Sequence, residues 1–162
     1  TKLEVEELLS ILKQAFCDND ICTFLIKPHI LYPVRDIIRL VNSSYSSHNF
    51  KLCINESLED LMISSRAVIT TCSTASLDGI ICQCPVIIPK LSCRIVMNPL
   101  TEDNDGFAIY VSNQDELVNA VTSVINSNES PIEFSKIKPF INEYLAFAGT
   151  EDEYYSRLEN EL

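Results

Sequence analysis

Short apolar runs rich in β-branched residues alternate along this chain with longer amphipathic stretches, a pattern that selects βαβ units and a mostly parallel sheet. The strand-like runs are Thr23-Phe24-Leu25-Ile26-Lys27-Pro28, Phe50 to Ile54, Ala67-Val68-Ile69-Thr70-Thr71, Pro85 to Ile88 and Phe107 to Val111. Helical periodicity is read over Leu3 to Phe16, where Leu8, Leu9, Ile11, Leu12 and Phe16 form one apolar face. Further helices are expected over Val34 to Val41 behind Pro33, after Ser57 with Asp60 three residues on, over Ala75 to Cys82, and over Gln114 to Ile125 with Ser112 as cap. The expected fold is a doubly wound α/β unit of about five strands with helices on both faces. A domain of that kind ordinarily begins on a strand. Its first strand is therefore expected upstream, unless the sheet closes without it.

A chain of 162 residues that is 46% hydrophobic can bury one substantial core. Residues 1–130 are expected to form a Rossmann-like half, and residues 131–162 a helical tail packing on it. Within that tail, Phe134 to Leu162 reads as two acidic amphipathic helices broken near Gly149. No stretch approaches the roughly 20 apolar residues of a membrane-spanning helix. The most apolar run, Gly79 to Pro89, is interrupted by Gln83 and Pro85, and the opening residues lack the basic start of a signal peptide. These features predict a cytoplasmic protein without a transmembrane segment, and leave peripheral membrane association open.

The seven cysteines, Cys17, Cys22, Cys53, Cys72, Cys82, Cys84 and Cys93, are odd in number. None forms a CxxC or Cys/His zinc spacing, so reduced thiols are expected rather than a disulfide framework or a metal site. The net charge of −11 argues against nucleic-acid binding, which needs a basic surface. The acid is concentrated near both ends, however, whereas Lys27, Arg35, Lys51, Arg66, Lys90 and Arg94 lie between. That distribution leaves room for a small anionic ligand.

In an open parallel sheet, ligands bind beyond the carboxyl ends of the strands where strand order reverses. Two polar groups are expected there, Lys27-Pro28-His29 and Cys72-Ser73-Thr74-Ala75-Ser76. The second opens a helix, whose free N–H groups and dipole attract anions. Ser73, Thr74 and Ser76 would add hydroxyl donors, Lys27 charge and His29 a further donor. Asp78, one helical turn beyond Thr74, could accept hydrogen bonds from ribose hydroxyls. The plainer alternatives are helix capping by Ser73 or Thr74, a solvated Lys27, a structural His29, and an Asp78 that only complements the helix dipole.

Competing chemistries fit less well. A nucleophile elbow would need glycine-like flanks and a histidine after the serine, but His29 and His48 both precede Ser73. Cys72 lacks a phosphatase-type arginine downstream. Neither GxGxxG nor a P-loop occurs, so a nicotinamide or ATP-hydrolysing site is not indicated.

The order Phe24-Leu25-Ile26-Lys27-Pro28-His29, Leu58-Glu59-Asp60-Leu61-Met62, Ala67 to Gly79 and Pro85-Val86-Ile87-Ile88-Pro89 resembles the C-terminal half of GT-B glycosyltransferases. The resembling members serve bacterial surface-polysaccharide synthesis and include capsule and polysialic-acid transferases and polyglycerol-phosphate polymerases. The resemblance spans roughly residues 20–125. It implies that Lys27 and His29, together with Ser73, Thr74 and Ser76, contact the donor phosphates, and that Asp78 holds the ribose. The donor would be a nucleotide-diphosphate- or CMP-activated sugar, or activated glycerol phosphate, bound without metal or cofactor. An upstream N-terminal domain would supply the acceptor site and often the catalytic base, so no catalytic residue is assigned. Ile30 departs from the family pattern where a second proline is usual, and Gln83 stands where glycine is usual. A noncatalytic Rossmann-like interaction domain and half of a nucleotide-sugar 2-epimerase are the competing readings.

Overall fold

The structure, a computed structural model, describes residues 2–16, 21–29, 32–42, 49–71, 74–92, 100 and 107–127. In chain order these form α1 (Lys2–Phe16), β1 (Phe24–Ile26), α2 (Val34–Asn42), β2 (Phe50–Leu52), α3 (Leu58–Ser64), β3 (Val68–Ile69), α4 (Ala75–Ile81), β4 (Val86–Pro89), β5 (Ala108–Val111) and α5 (Gln114–Asn126). Each apolar run read as a strand forms one, and every described pairing is parallel. The expected tail of residues 131–162 lies outside the described residues.

The sheet differs from the expectation of five joined strands. The described strands form two sheets, β1-β2 and β3-β4-β5. β1 and β3 are only three and two residues long. Each uses one edge for its partner, and no described strand bridges them. The strand ending at Lys27 is expected between the strand at Phe50 and either that at Ala67 or one upstream. Among the described residues β1 pairs with β2 alone, with Phe24, Leu25 and Ile26 opposite Phe50, Lys51 and Leu52.

Strand β4 shows why an all-apolar run belongs at the centre of a parallel sheet. It is paired on both edges, and all four of its residues are buried. Ile87 points to a core with Leu12 and Phe16 of α1 and Leu117, Ala120, Val121 and Val124 of α5. Val86 and Ile88 point the other way, to Ile80 of α4, Leu100 and Phe107. Period-two alternation thus gives this strand a helix on each face. The close approach of α4 depends on Gly79, where a Cβ would stand 2.9 Å from Val86 Cγ2 and 3.5 Å from Val68 Cγ1.

Helix α1 joins the two sheets. It packs against α5 on one side and α2 on the other. Phe16 meets Phe24 with ring centroids 4.9 Å apart, and Phe24 stacks on Phe50 at 5.0 Å. The Asn49 side chain donates to the Phe16 carbonyl at 2.8 Å, satisfying a group that the helix end leaves open. Lys13 is buried, and its ammonium donates to the Leu40 and Val41 carbonyls at 2.6 and 3.0 Å, capping the end of α2. Burial lowers its pKa.

Local chemistry sets the helix ends. Ser57 caps α3 as expected, its Oγ accepting from the Asp60 N–H at 3.0 Å. The cap of α5 is Asn113 and not Ser112. Asn113 Oδ1 accepts from the Glu116 N–H at 2.9 Å, while Glu116 Oε2 accepts from the Ser112 N–H at 2.7 Å. The closure resembles a capping box, with the glutamate reaching one residue further back, so the expected cap shifts by one position.

The end of α4 explains the departure at Gln83. Its N–H bonds to the Ile80 carbonyl and that of Cys84 to the Gly79 carbonyl, the double closure of a Schellman motif. The residue after the cap in that motif is left-handed, and Gln83 has φ 55°. Gln83→Gly is therefore expected to raise the unfolding free energy by about 1 kcal/mol, because a side chain pays a left-handed penalty that glycine escapes. Chemical denaturation checks this, and an unchanged or lower midpoint would contradict the strained closure.

Candidate functional site

The polar groups expected at the carboxyl ends of β1 and β3 separate into bound and open ones. Lys27 follows β1 directly, but its ammonium donates to the Ile54 carbonyl at 2.8 Å and the Glu56 carbonyl at 2.6 Å. It thereby fastens the turn after β2 to the end of β1. His29 is exposed, and its carbonyl accepts from the Tyr32 N–H at 2.8 Å. Ser73 lies outside the described residues.

On α4 the hydroxyls divide by helical face. Ser76 is fully buried together with Gly79 and Ile80, the positions three and four further on. Thr74 and Asp78, four apart on the opposite face, are both exposed. The Thr74 carbonyl starts the helix, accepting from the Leu77 and Asp78 N–H groups, while its side chain makes no capping bond. The capping alternative for Thr74 therefore has no hydrogen bond to support it. Asp78 lies near Cys82, whose thiol is pushed above its ordinary pKa by burial and then by the carboxylates of Glu59 and Asp78.

The described cysteines Cys22, Cys53, Cys82 and Cys84 are free thiols. Cys84, buried beneath α4 with its Sγ 3.8 Å from the Ser65 carbonyl, has its pKa pushed up to about 11 by burial and by neighbouring Cys82. It is a protonated core group at neutral pH and a poor nucleophile.

Sequence reasoning missed Tyr32. Its hydroxyl, just ahead of α2, is buried without a hydrogen-bond partner among the described residues. A tyrosine in an irregular segment carries no sequence signal for such a position. At the carboxyl ends of β4 and β5, a groove lined by Ile11, Gln14, Lys90, Asn113 and Gln114 encloses about 100 Å³. Ligand pockets usually begin near roughly 300 Å³, so this groove alone is too small for a nucleotide sugar. Among the described residues no group of three His, Cys, Asp or Glu side chains is arranged to hold a metal ion. No described helix is long and apolar enough to cross a membrane.

No family model matches the chain, and no curated protein or solved structure matches it either.

Proposed function

We propose that this chain is the donor-binding half of a GT-B-type transferase that uses a nucleotide-activated sugar or glycerol phosphate in surface-polysaccharide synthesis. The observation that carries the reading is the exposed pair Thr74 and Asp78 beyond the carboxyl end of β3, with the Thr74 hydroxyl uncommitted to a cap. A hydroxyl at the helix start suits a phosphate oxygen, and a carboxylate one turn on suits a ribose diol. Ser73 and His29 would complete the phosphate contacts, and Lys27 would join them on releasing its two carbonyls. Buried Ser76 would serve packing. The acceptor and catalytic base would come from an upstream domain, and the reaction would take place in the cytoplasm, with or without peripheral attachment to a membrane.

The engagement of Lys27 and the burial of Ser76 favour a second reading, a noncatalytic α/β interaction domain. Nucleotide titration separates the two. UDP or CDP at millimolar concentration is expected to shift the Thr74–Asp78 amide signals more than uridine or cytidine does. Thr74→Ala and Asp78→Asn should each weaken binding by roughly 1.5–3 kcal/mol, the worth of one hydrogen bond involving a charged group. Equal shifts from nucleoside and diphosphate, or none with either in the full-length protein, would reject the donor site.

A further inference from the structure

We propose that Tyr32 is a further ligand contact of the donor site, its hydroxyl donating to a phosphate oxygen of the bound nucleotide. The inference rests on the nucleotide reading and adds a residue to it. Tyr32 stands between β1 and α2, beyond the carboxyl end of β1 where Lys27 and His29 also lie. Its backbone N–H bonds to the His29 carbonyl at 2.8 Å, which ties it to a residue already assigned to the phosphates.

The burial of this tyrosine is inverted. A tyrosine near a protein surface ordinarily keeps its ring against apolar neighbours and its hydroxyl in water. Tyr32 is part-exposed, yet its hydroxyl oxygen is buried and has no hydrogen-bond partner among the described residues. Phenylalanine would fill the same space without leaving a buried donor unmet, so the hydroxyl works against folding stability. A group of this kind is explained when a bound molecule brings the acceptor that the fold withholds.

The charge of the segment names the acceptor. Residues 21–35 contain no Asp or Glu, in a chain that carries 23 of them, but they include Lys27, His29 and Arg35. Arg35 is exposed, and the acid that follows it, Asp36, lies 3.9 Å from Arg39. A phenol O–H needs an acceptor, and these neighbours favour an anionic one, which a phosphate oxygen supplies. Phe24 of β1 and Ile69 of β3 pack on one core, with Leu12, Phe16 and Ile87. A ligand lying across the ends of those two strands therefore meets Thr74 on one side and Tyr32 on the other.

Tyr32→Phe in the full-length protein tests the assignment through two readouts. Without ligand the variant should melt about 2–4 °C higher than wild type, because the unmet donor is gone. With UDP, followed through the Thr74–Asp78 amide signals, its Kd should be at least about tenfold weaker. Uridine, which lacks the phosphates, should bind the two proteins alike. A lower melting temperature would mean that the hydroxyl already has a partner inside the protein, an internal water included, and would overturn the proposal. A higher melting temperature with unchanged UDP affinity would also overturn it, while the donor site at Thr74 and Asp78 would stand. Equal losses for UDP and uridine would put the hydroxyl on the base or ribose and reject the phosphate contact. If wild type gives no diphosphate-dependent shift, the donor reading fails and the role of Tyr32 falls with it.

Discussion

Truncation of Phe16 to alanine is expected to cost about 3–5 kcal/mol of unfolding free energy, the upper range for a buried aromatic. The ring is fully buried where α1 meets the first sheet, so the change removes its apolar contacts and leaves a cavity. It also removes the tilted contact with Phe24, and such aromatic pairs contribute roughly 0.5–1.5 kcal/mol beyond area burial. Domains of this size hold only about 5–15 kcal/mol in all, so the variant should unfold at a much lower urea concentration. Leu3→Ala on the same helix is the control, because Leu3 is 71% exposed and its loss should be nearly neutral. Equal midpoints for the two variants would mean that α1 does not pin the two sheets through Phe16.

Ile87→Ala should cost about 2–5 kcal/mol, for a different reason. Ile87 lies in the middle of β4, opposite Ile69 on one side and Ile109 on the other, and its side chain is wholly within the core under α1 and α5. The surrounding elements are fixed by hydrogen bonds on both edges and cannot collapse into the vacated space. Ile109, the neighbour across the ladder, is 37% exposed, and Ile109→Ala should cost far less. Thermal unfolding of the pair provides the comparison. Similar losses at both positions would show that β4 is not the buried centre of its sheet.

Much of the framework could be read along the chain. All five runs became parallel strands, but only β4 is covered on two faces as its uninterrupted apolar sequence requires, whereas Lys51 interrupts the run at β2 and is exposed. The division into two sheets was not legible, since hydrogen bonding across a seam is set by segments far apart in sequence. Lys13 shows the same limit. It was left out of the apolar face read for α1, yet its ammonium is buried against carbonyls 27 and 28 residues away. The division of the α4 hydroxyls was within reach. A period of 3.6 puts Ser76 on the face of Gly79 and Ile80, and Thr74 on that of Asp78. Grouping the hydroxyls by composition alone hid that distinction. The choice of Asn113 over Ser112 is a contest between two good caps one residue apart, which only the geometry resolves.

The position of α1 has a consequence for synthesis. Its Gln14 carbonyl accepts from the Gln114 side chain 100 residues later, so its outer neighbour α5 emerges last among the described elements. At roughly 5–20 residues per second, the ribosome takes about 5–20 s to deliver that partner. A 15-residue helix is marginal alone in water. Until α5 arrives, Leu12 and Phe16 lack the cover of Leu117, Ala120, Val121 and Val124, and the nascent chain exposes an apolar helical face of the kind that chaperones shield.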